Sequence, residues 1–405
     1  MSFSNEMLSQ STTATGDSSS WRFSYYPQLE GFRGLSIVVV LIAHTAFPAL
    51  GPLGGLGVMM FFVLSGFLIT GLLIKECTRS GNISLSRFYR RRALRIFPAF
   101  FTFMVIICLL ISLGYITDVG WPTVAVVCLY LSNMFGHSQS LAHIWSLSLE
   151  EQFYAVWPVL FRAARNRILW LAGGLFLFVG LSRAIAIGIA PDSSYFTATF
   201  YERPWFRFDS ILIGCCLALI LYTKQPDPAS IRRMMRPFAP VVVFLAALLW
   251  SMTAEHCRWL RPCYQTVQMS LMAALLLHLI AWPTSFAARL LSSHPLRWLG
   301  GVSYSLYLWQ QPFLITRVPN WGFLRHFPWN LVCLFSIGIS SHYLIERPFL
   351  KLKDRLSHPI PEANPSDLSL QHLDSPDCRR PSGSAKGVDA ATQSLDMLLS
   401  TTSQG

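Results

Sequence analysis

LEGFRGLSIVVVLIAHTAFPAL, residues 29–50, is an apolar stretch that carries a cation near its start, Arg33, and an imidazole inside it, His44. Eleven residues of helix advance about 16 Å and complete almost three turns, which puts both side chains on one face at different depths. The stretch reads as a membrane-crossing helix. A titratable group at membrane depth is costly and usually faces a protein interior or a cavity. His44 is therefore the first candidate for chemistry. The plain alternative is that it hydrogen-bonds to a neighbouring helix while Arg33 anchors at the interface.

The rest of the chain supports a membrane setting. With 53% hydrophobic and 13% charged residues in 405, there is too little polar surface for an ordinary soluble protein. The expectation is an all-α integral membrane protein. Apolar stretches recur at 33–50, 56–74, 97–117, 121–135, 149–161, 168–190, 207–222, 239–254, 265–283, 299–316 and 327–346. The net charge of +12 could suggest nucleic acid, but the cations track alternate connections. Lys75, Arg79, Arg87, Arg90, Arg91, Arg92 and Arg95 fall between the second and third stretches, with further clusters at Arg162/Arg165/Arg167, Lys224/Arg232/Arg233/Arg236, Arg289/Arg297 and Arg347/Lys351/Lys353/Arg355. These sides are cytoplasmic by the positive-inside rule, so nucleic acid is not a partner. A bundle of about ten transmembrane helices satisfies every cluster if 121–135 is re-entrant or short, and both termini are then cytoplasmic. Residues 1–28 and 357–405 read as flexible, disordered cytoplasmic tails around a membrane domain over 29–356.

The nine cysteines form no CxxC pair and no Cys/His set with zinc spacing, so no metal is expected. Cys257 and Cys263 share an outward loop and are either bridged or two free thiols. No internal repeat is visible, and HExxH, Walker and GxSxG patterns are absent, which leaves metalloprotease, ATPase and ordinary serine-hydrolase readings without support.

Several motifs carry polar groups that packing does not require. In GLGVMMFFVLSGFLITGLL, the small residues Gly57, Ser65, Gly66 and Gly71 allow close helix approach. In FYRRRALRIFPAF, Arg91 and Arg95 are four apart and make a cationic stripe, suited to phosphates or to lipid head groups and topology marking. HIWSLSLEEQFYAVWP begins an apolar helix with Glu150 and Glu151. Glu150 shares a face with Tyr154 and Trp157 while Glu151 points about 100° away. These carboxylates either find buried cations or cap a helix start. RFDSILIG places Arg207 and Asp209 at a helix mouth, SYSLYLWQ puts Tyr304 and Gln310 in a span, and Glu346 lies in IERP.

Taken in order, EGFRGLSIVVVLIAH, GVMMFFVLSGFLIT, FYRRRALRIFP, HIWSLSLEEQFYAVWP, RFDSILIG, SYSLYLW and IERP resemble the membrane-bound acyltransferase 3 family, over about residues 27–356. The resemblance implies an enzyme that takes an acyl group, usually acetyl, from acyl-CoA on the cytoplasmic side and places it on a carbohydrate or glycolipid hydroxyl at the cell envelope. Acyl-CoA is a co-substrate, and no bound cofactor is implied. The family's essential pair falls on Arg33 and His44, its basic loop on Arg91, Arg92 and Arg95, and its tryptophan/glutamate motif on Trp145, Ser146, Glu150 and Gln152. Many members have His where this chain has Gln310, and a glutamine does not titrate. Some carry a soluble esterase-like domain, for which residues 357–405 leave no room.

The expected mechanism has coenzyme phosphates at Arg91, Arg92 and Arg95 and the thioester reaching toward His44. His44 is either general base or covalent acyl carrier. Arg33 binds donor phosphate or polarises the thioester, and Glu150 orients His44 or binds the acceptor. Trp145, Ser146, Gln152, Tyr154, Arg207, Asp209 and Tyr304 line the acceptor cavity. The competing class is a proton-coupled transporter or lipid-linked sugar flippase, which would also need buried His, Arg and Glu.

Overall fold

The computed structural model describes residues 21, 23–44, 50–136, 138–189, 202–236, 239–253, 257, 260–314 and 322–356, and among these the chain is helical with no strand. The main helices are α1 (Pro27–Ala43), α2 (Leu53–Ser80), α3 (Leu85–Ser112), α4 (Ile144–Ala164), α5 (Ile168–Ile189), α6 (Asp209–Leu219), α7 (Ala239–Thr253), α8 (Arg261–Ala281), α9 (His294–Leu314), α10 (Trp329–Ser341) and α11 (Arg347–Leu356). Local sequence sets their ends. Pro27 opens α1 at a position where its missing N–H costs nothing. Gly81, at φ 66°, closes α2 in the left-handed conformation, and the Ser84 hydroxyl accepts from the Arg87 N–H to start α3.

Four helical stretches of the described residues are long and apolar enough to cross a membrane: Leu53–Ser80, Leu85–Ser112, Ile144–Ile189 and Cys263–Ala281. A fifth is added if Pro228–Met234 and Ala239–Thr253 count as one bent span. By length and composition, then, the expected ten is not reached. One reason is that Ile144–Ile189 is a single 46-residue stretch, about 69 Å long and so enough for two crossings, with a break at Arg165 (φ 44°). Another is that α1 has only 17 residues, and α9 carries too many Tyr, Ser and Gln. Over 121–135 the chain forms only the short helices Trp121–Cys128 and Ser132–Phe135.

α1 lies between α2 and α9, and α2 also packs on α6. Backbone proximity explains this arrangement. A Cβ on Gly34 would lie 2.0 Å from the Leu296 carbonyl oxygen, and one on Gly300 would lie 2.0 Å from that of Glu30. Gly66 and Gly214 interlock α2 and α6 in the same way, at 1.9 Å from the Ile211 oxygen and 2.0 Å from the Val63 oxygen. In lipid, where the hydrophobic effect does not drive helices together, such close packing holds them. These contacts also set register. α2 runs antiparallel to α1, with Gly57 beside Val40 and Gly54 beside His44, whereas α9 runs parallel to α1, with Arg297 on Glu30 near the start of both and Tyr307 reaching Phe61 of α2 further along.

The outer surface is apolar: Val105 and Leu109 on α3 and Leu113 at its C-cap, Trp170, Leu177 and Leu181 on α5, and Val242, Leu245 and Leu249 on α7 are all exposed. A belt of that extent suits lipid rather than water, and the molecule is an integral membrane protein. The packed part reaches back to Trp21, inside the expected tail. Its indole N–H donates to the Pro226 carbonyl at 2.6 Å and its backbone N–H to Gln225 Oε1 at 2.7 Å. Phe23 then fills the space left by Gly71.

Candidate active site

The charged residues of α1, α3, α4 and the last helical segment meet around Arg33. The Glu150 carboxylate accepts from the Ser65 and Tyr154 hydroxyls through the same oxygen. Arg92 bridges both carboxylates of α4, with Nη2 at 2.9 Å from Glu151 and 3.6 Å from Glu150. Its guanidinium carbon sits 3.6 Å from the centre of the Tyr154 ring. Glu151 is thus part of the cluster, not at an edge: Arg92 is long enough to span the 100° between the two acids. Nor do the acids cap a helix start, because α4 begins at Ile144 and they lie in its second turn.

Glu346 closes the cluster from the other side. It lies in a π-helical turn, His342–Glu346, a deviation often found at functional sites. Its carboxylate accepts from Ser305 at 3.0 Å and from His342 Nδ1 at 2.9 Å. Arg33 and Arg95 stand between these acids. They repel one another, and Glu346 attracts both. Yet among the described residues neither guanidinium has a carboxylate within 4.0 Å or a hydrogen bond, and both are partly accessible. Tyr304 borders them, its hydroxyl donating to the Ile96 carbonyl at 3.1 Å.

Arg91 is occupied elsewhere. Its Nη2 is 3.0 Å from the buried Glu76, which also receives the Ser84 N–H at 3.2 Å and faces Arg87 at 3.9 Å. This knot pins the α2–α3 hairpin. Gln152 exchanges amide bonds with Asn133, at 2.8 and 3.1 Å, and donates to the Tyr130 carbonyl at 2.7 Å. It therefore fixes the short helices over 121–135 onto α4.

Above Arg33, Ser146 and Tyr307 share a hydroxyl contact, and both donate to the His143 carbonyl, at 3.1 and 2.9 Å. Pro312 has no N–H to offer the Leu308 carbonyl four residues back; His143 Nε2 donates to that oxygen instead, at 3.0 Å. Arg207 is fully buried and lies over the Trp145 and Phe62 rings, 5.6 and 6.0 Å from their centres. Asp209 is equally buried and pairs with Arg183 at 2.6 Å.

His44 lies at the far end of α1, away from this cluster. The helix stops at Ala43, so His44 is its C-cap rather than an interior residue. Its Nδ1 lies 2.7 Å from the Val40 carbonyl. A carbonyl only accepts, so the neutral ring carries its proton on Nδ1 and leaves the Nε2 lone pair available. Cys257 and Cys263 are free thiols, and no group of three His, Cys, Asp or Glu among the described residues could hold a metal ion.

Residues 26–347 match a family described as an acyltransferase domain. The chain belongs to the membrane-bound acyltransferase 3 family. The chain is 28% identical over 358 residues to YrhL of Bacillus subtilis (strain 168), covering 80% of this chain and 55% of that one. It is 26% identical to the peptidoglycan O-acetyltransferase OatA of Listeria monocytogenes (81% and 56%) and 29% identical to the O-acetyltransferase OatA of Staphylococcus aureus (72% and 51%). The chain spans about half the length of the curated relatives it matches. No solved structure matches it.

The structure gathers Arg33, Arg92, Arg95, Glu150, Tyr154 and Tyr304 into one cluster. Trp145, Ser146 and Arg207 form a second polar group above it, while Arg91, Gln152 and Asp209 serve separate contacts. Sequence reasoning missed Glu151, Glu346 and Arg183 as members of these networks. For Arg183 a signal was present: it is a lone cation inside an apolar run, and such a residue calls for a partner.

Proposed function

We propose that this acyltransferase moves an acetyl group from cytoplasmic acyl-CoA to a hydroxyl of a cell-envelope carbohydrate. The bundle would have about ten spans, with 121–135 as a short non-crossing segment and both termini cytoplasmic. The names of the two OatA relatives support the group transferred and, for the Listeria protein, the acceptor class.

The observation that carries the reading is the pair Arg33 and Arg95, two partly accessible guanidiniums with no carboxylate within 4.0 Å among the described residues, with Arg33 about two turns into α1 and His44 at its far end. Unpaired guanidiniums held close together are an anion site awaiting its anion. The coenzyme's phosphates bind there. An extended pantetheine arm then follows α1 for about 16 Å and brings the thioester to His44. Its Nε2 takes the proton of the acceptor hydroxyl as the oxygen attacks the thioester carbon, and the C–S bond breaks as the tetrahedral intermediate collapses. The proton then passes to the departing thiolate. In the covalent variant, Nε2 itself takes the acetyl group first and passes it to the hydroxyl.

The test is CoA release from acetyl-CoA by purified protein in lipid, with and without a cell-envelope extract, for wild type and His44→Ala. Release that requires both His44 and the extract, with equal yield and membrane insertion of the variant, is the expected result. A stoichiometric burst of CoA without acceptor would select the covalent route. Retained transfer in the variant would overturn the mechanism, and accumulation of a sugar without covalent change would favour the transporter.

A further inference from the structure

Glu346 is buried and stands close enough to Arg33 and Arg95 to attract both. A carboxylate beside a guanidinium ordinarily takes it as a bidentate partner. Here, among the described residues, its ionic partner is His342 rather than either arginine. One oxygen, Oε2, accepts from the Ser305 hydroxyl at 3.0 Å and from His342 Nδ1 at 2.9 Å. The acid therefore faces two competing sets of donors and is bonded to the set without the strong cations.

The fold accounts for that choice. Residues four apart share a helix face, and the π turn His342–Glu346 sets the imidazole against the carboxylate within one element. The turn packs against α3 and α9, and α9 brings the fully buried Ser305 to the same oxygen. The charged and titratable groups around the pair are Arg95 on α3, Arg33 on α1, Tyr304 on α9, Tyr343 against the His342 ring, and Arg347 over Tyr343. A carboxylate only accepts, so Nδ1 carries a proton whether the ring is neutral or charged. A second proton, on Nε2, makes the bond one between opposite charges and strengthens it.

We propose that His342 is a positioning residue of the donor site: it holds the Glu346 carboxylate off Arg33 and Arg95 and so keeps both guanidiniums open for the phosphates of acyl-CoA. The inference rests on the donor-site reading above and adds to it the group that keeps the site open. Without His342, the glutamate side chain turns toward the guanidiniums, and the donor has to displace an internal anion before it binds. Because the protonated ring holds the carboxylate more firmly, donor binding tightens as pH falls through the titration of His342.

His342→Leu removes the donor, and His342→Gln keeps an N–H donor that does not titrate. The full chain in lipid is assayed with acetyl-CoA and a cell-envelope extract at about pH 8 and about pH 6, on either side of the imidazole range. His342→Leu should raise the KM for acetyl-CoA about tenfold at the lower pH, the loss of one hydrogen bond to a charged group, with the effect in KM rather than kcat. His342→Gln should recover most of that loss at about pH 8, and its KM relative to wild type should grow about threefold at about pH 6. The ratio is the readout because a phosphate monoester on the donor takes up its own proton near about pH 6, equally for every variant. A purely structural role would lower the melting temperature and kcat of both variants without moving that ratio. An unchanged KM in His342→Leu, or a ratio for His342→Gln that does not change with pH, would overturn the proposal. If His342→Leu does not fold, the His342→Gln ratio decides alone. Arg95→Ala separates the two levels. An unchanged KM there removes the donor site itself, whereas a raised KM there beside an unchanged KM in His342→Leu overturns only the role of His342.

Discussion

Two clusters of buried charge occupy this molecule, and they are built on opposite principles. Around Arg183 and Asp209 the two charges meet directly and most of the guanidinium is bonded, although Arg183 Nε and Asp209 Oδ1 have no hydrogen-bond partner among the described residues. The pair is at 2.6 Å, and the guanidinium also donates to the Phe206 carbonyl, Gln265 and Thr266, at 2.9–3.0 Å. Both residues are almost wholly shielded. Around Arg33 the acids are committed but the cations are not. Glu150, Glu151 and Glu346 hold Ser65, Tyr154, Arg92, Ser305 and His342, whereas Arg33 and Arg95 are left in each other's field. The first arrangement minimises energy without a ligand. The second retains repulsion that an anion would relieve, which is what separates a binding site from a structural knot.

The largest expected effect lies in the paired cluster and is one of folding. Asp209→Ala leaves Arg183 buried without its counter-charge, which should cost about 3–5 kcal/mol of stability. It would be measured as lost yield and a lowered melting temperature. The double variant Arg183→Met/Asp209→Leu should recover most of that loss, because an apolar pair of similar volume often substitutes for a buried ion pair. A single variant as stable as wild type would show that the knot is accessible to water, and the contrast would fail.

The open cluster should respond in function instead. Arg95→Ala removes one of two repelling cations, so the fold should tolerate it. The apparent KM for acetyl-CoA should rise about tenfold, equivalent to about 1.4 kcal/mol of lost charge-assisted binding. An unchanged KM would remove the cluster from the donor site.

How far these clusters could be read beforehand depended on chain distance. The α2–α6 approach was legible at Gly66, and Gly57 marked the α1–α2 contact, whereas Gly34 and Gly300, which bring α1 and α9 together, went unread. Helix starts were harder. Hydropathy placed the third stretch at 97–117, but α3 begins at Leu85 because Ser84 caps it and Arg87 and Arg91 have a buried partner in Glu76. Ser65 looked like a packing residue and is in fact a hydrogen-bond donor to Glu150. The pairing of Glu346 with His342 and Ser305 depends on a π turn, which no periodicity reports. In each case the missing information was the partner, and the partner lay in another helix.

That lesson bears on Arg91, the residue where motif and geometry diverge most. On the motif it belongs with Arg92 and Arg95 at the donor. In the structure its guanidinium is spent on Glu76, which is 4% exposed and also takes the Ser84 N–H. Arg91→Ala should therefore leave the KM for acetyl-CoA within twofold of wild type, unlike Arg95→Ala. It should lower stability by about 1 kcal/mol, a modest loss because Arg87 is 3.9 Å from the same carboxylate and can still offset its charge. The measurement is a pair of titrations with acetyl-CoA beside two thermal melts. A raised KM with an unchanged melt would mean that Glu76 releases Arg91 when donor arrives, and that the cationic stripe works as a unit along α3. The expected result, a lowered melt with an unchanged KM, would confine the donor site to the cations that have no carboxylate of their own.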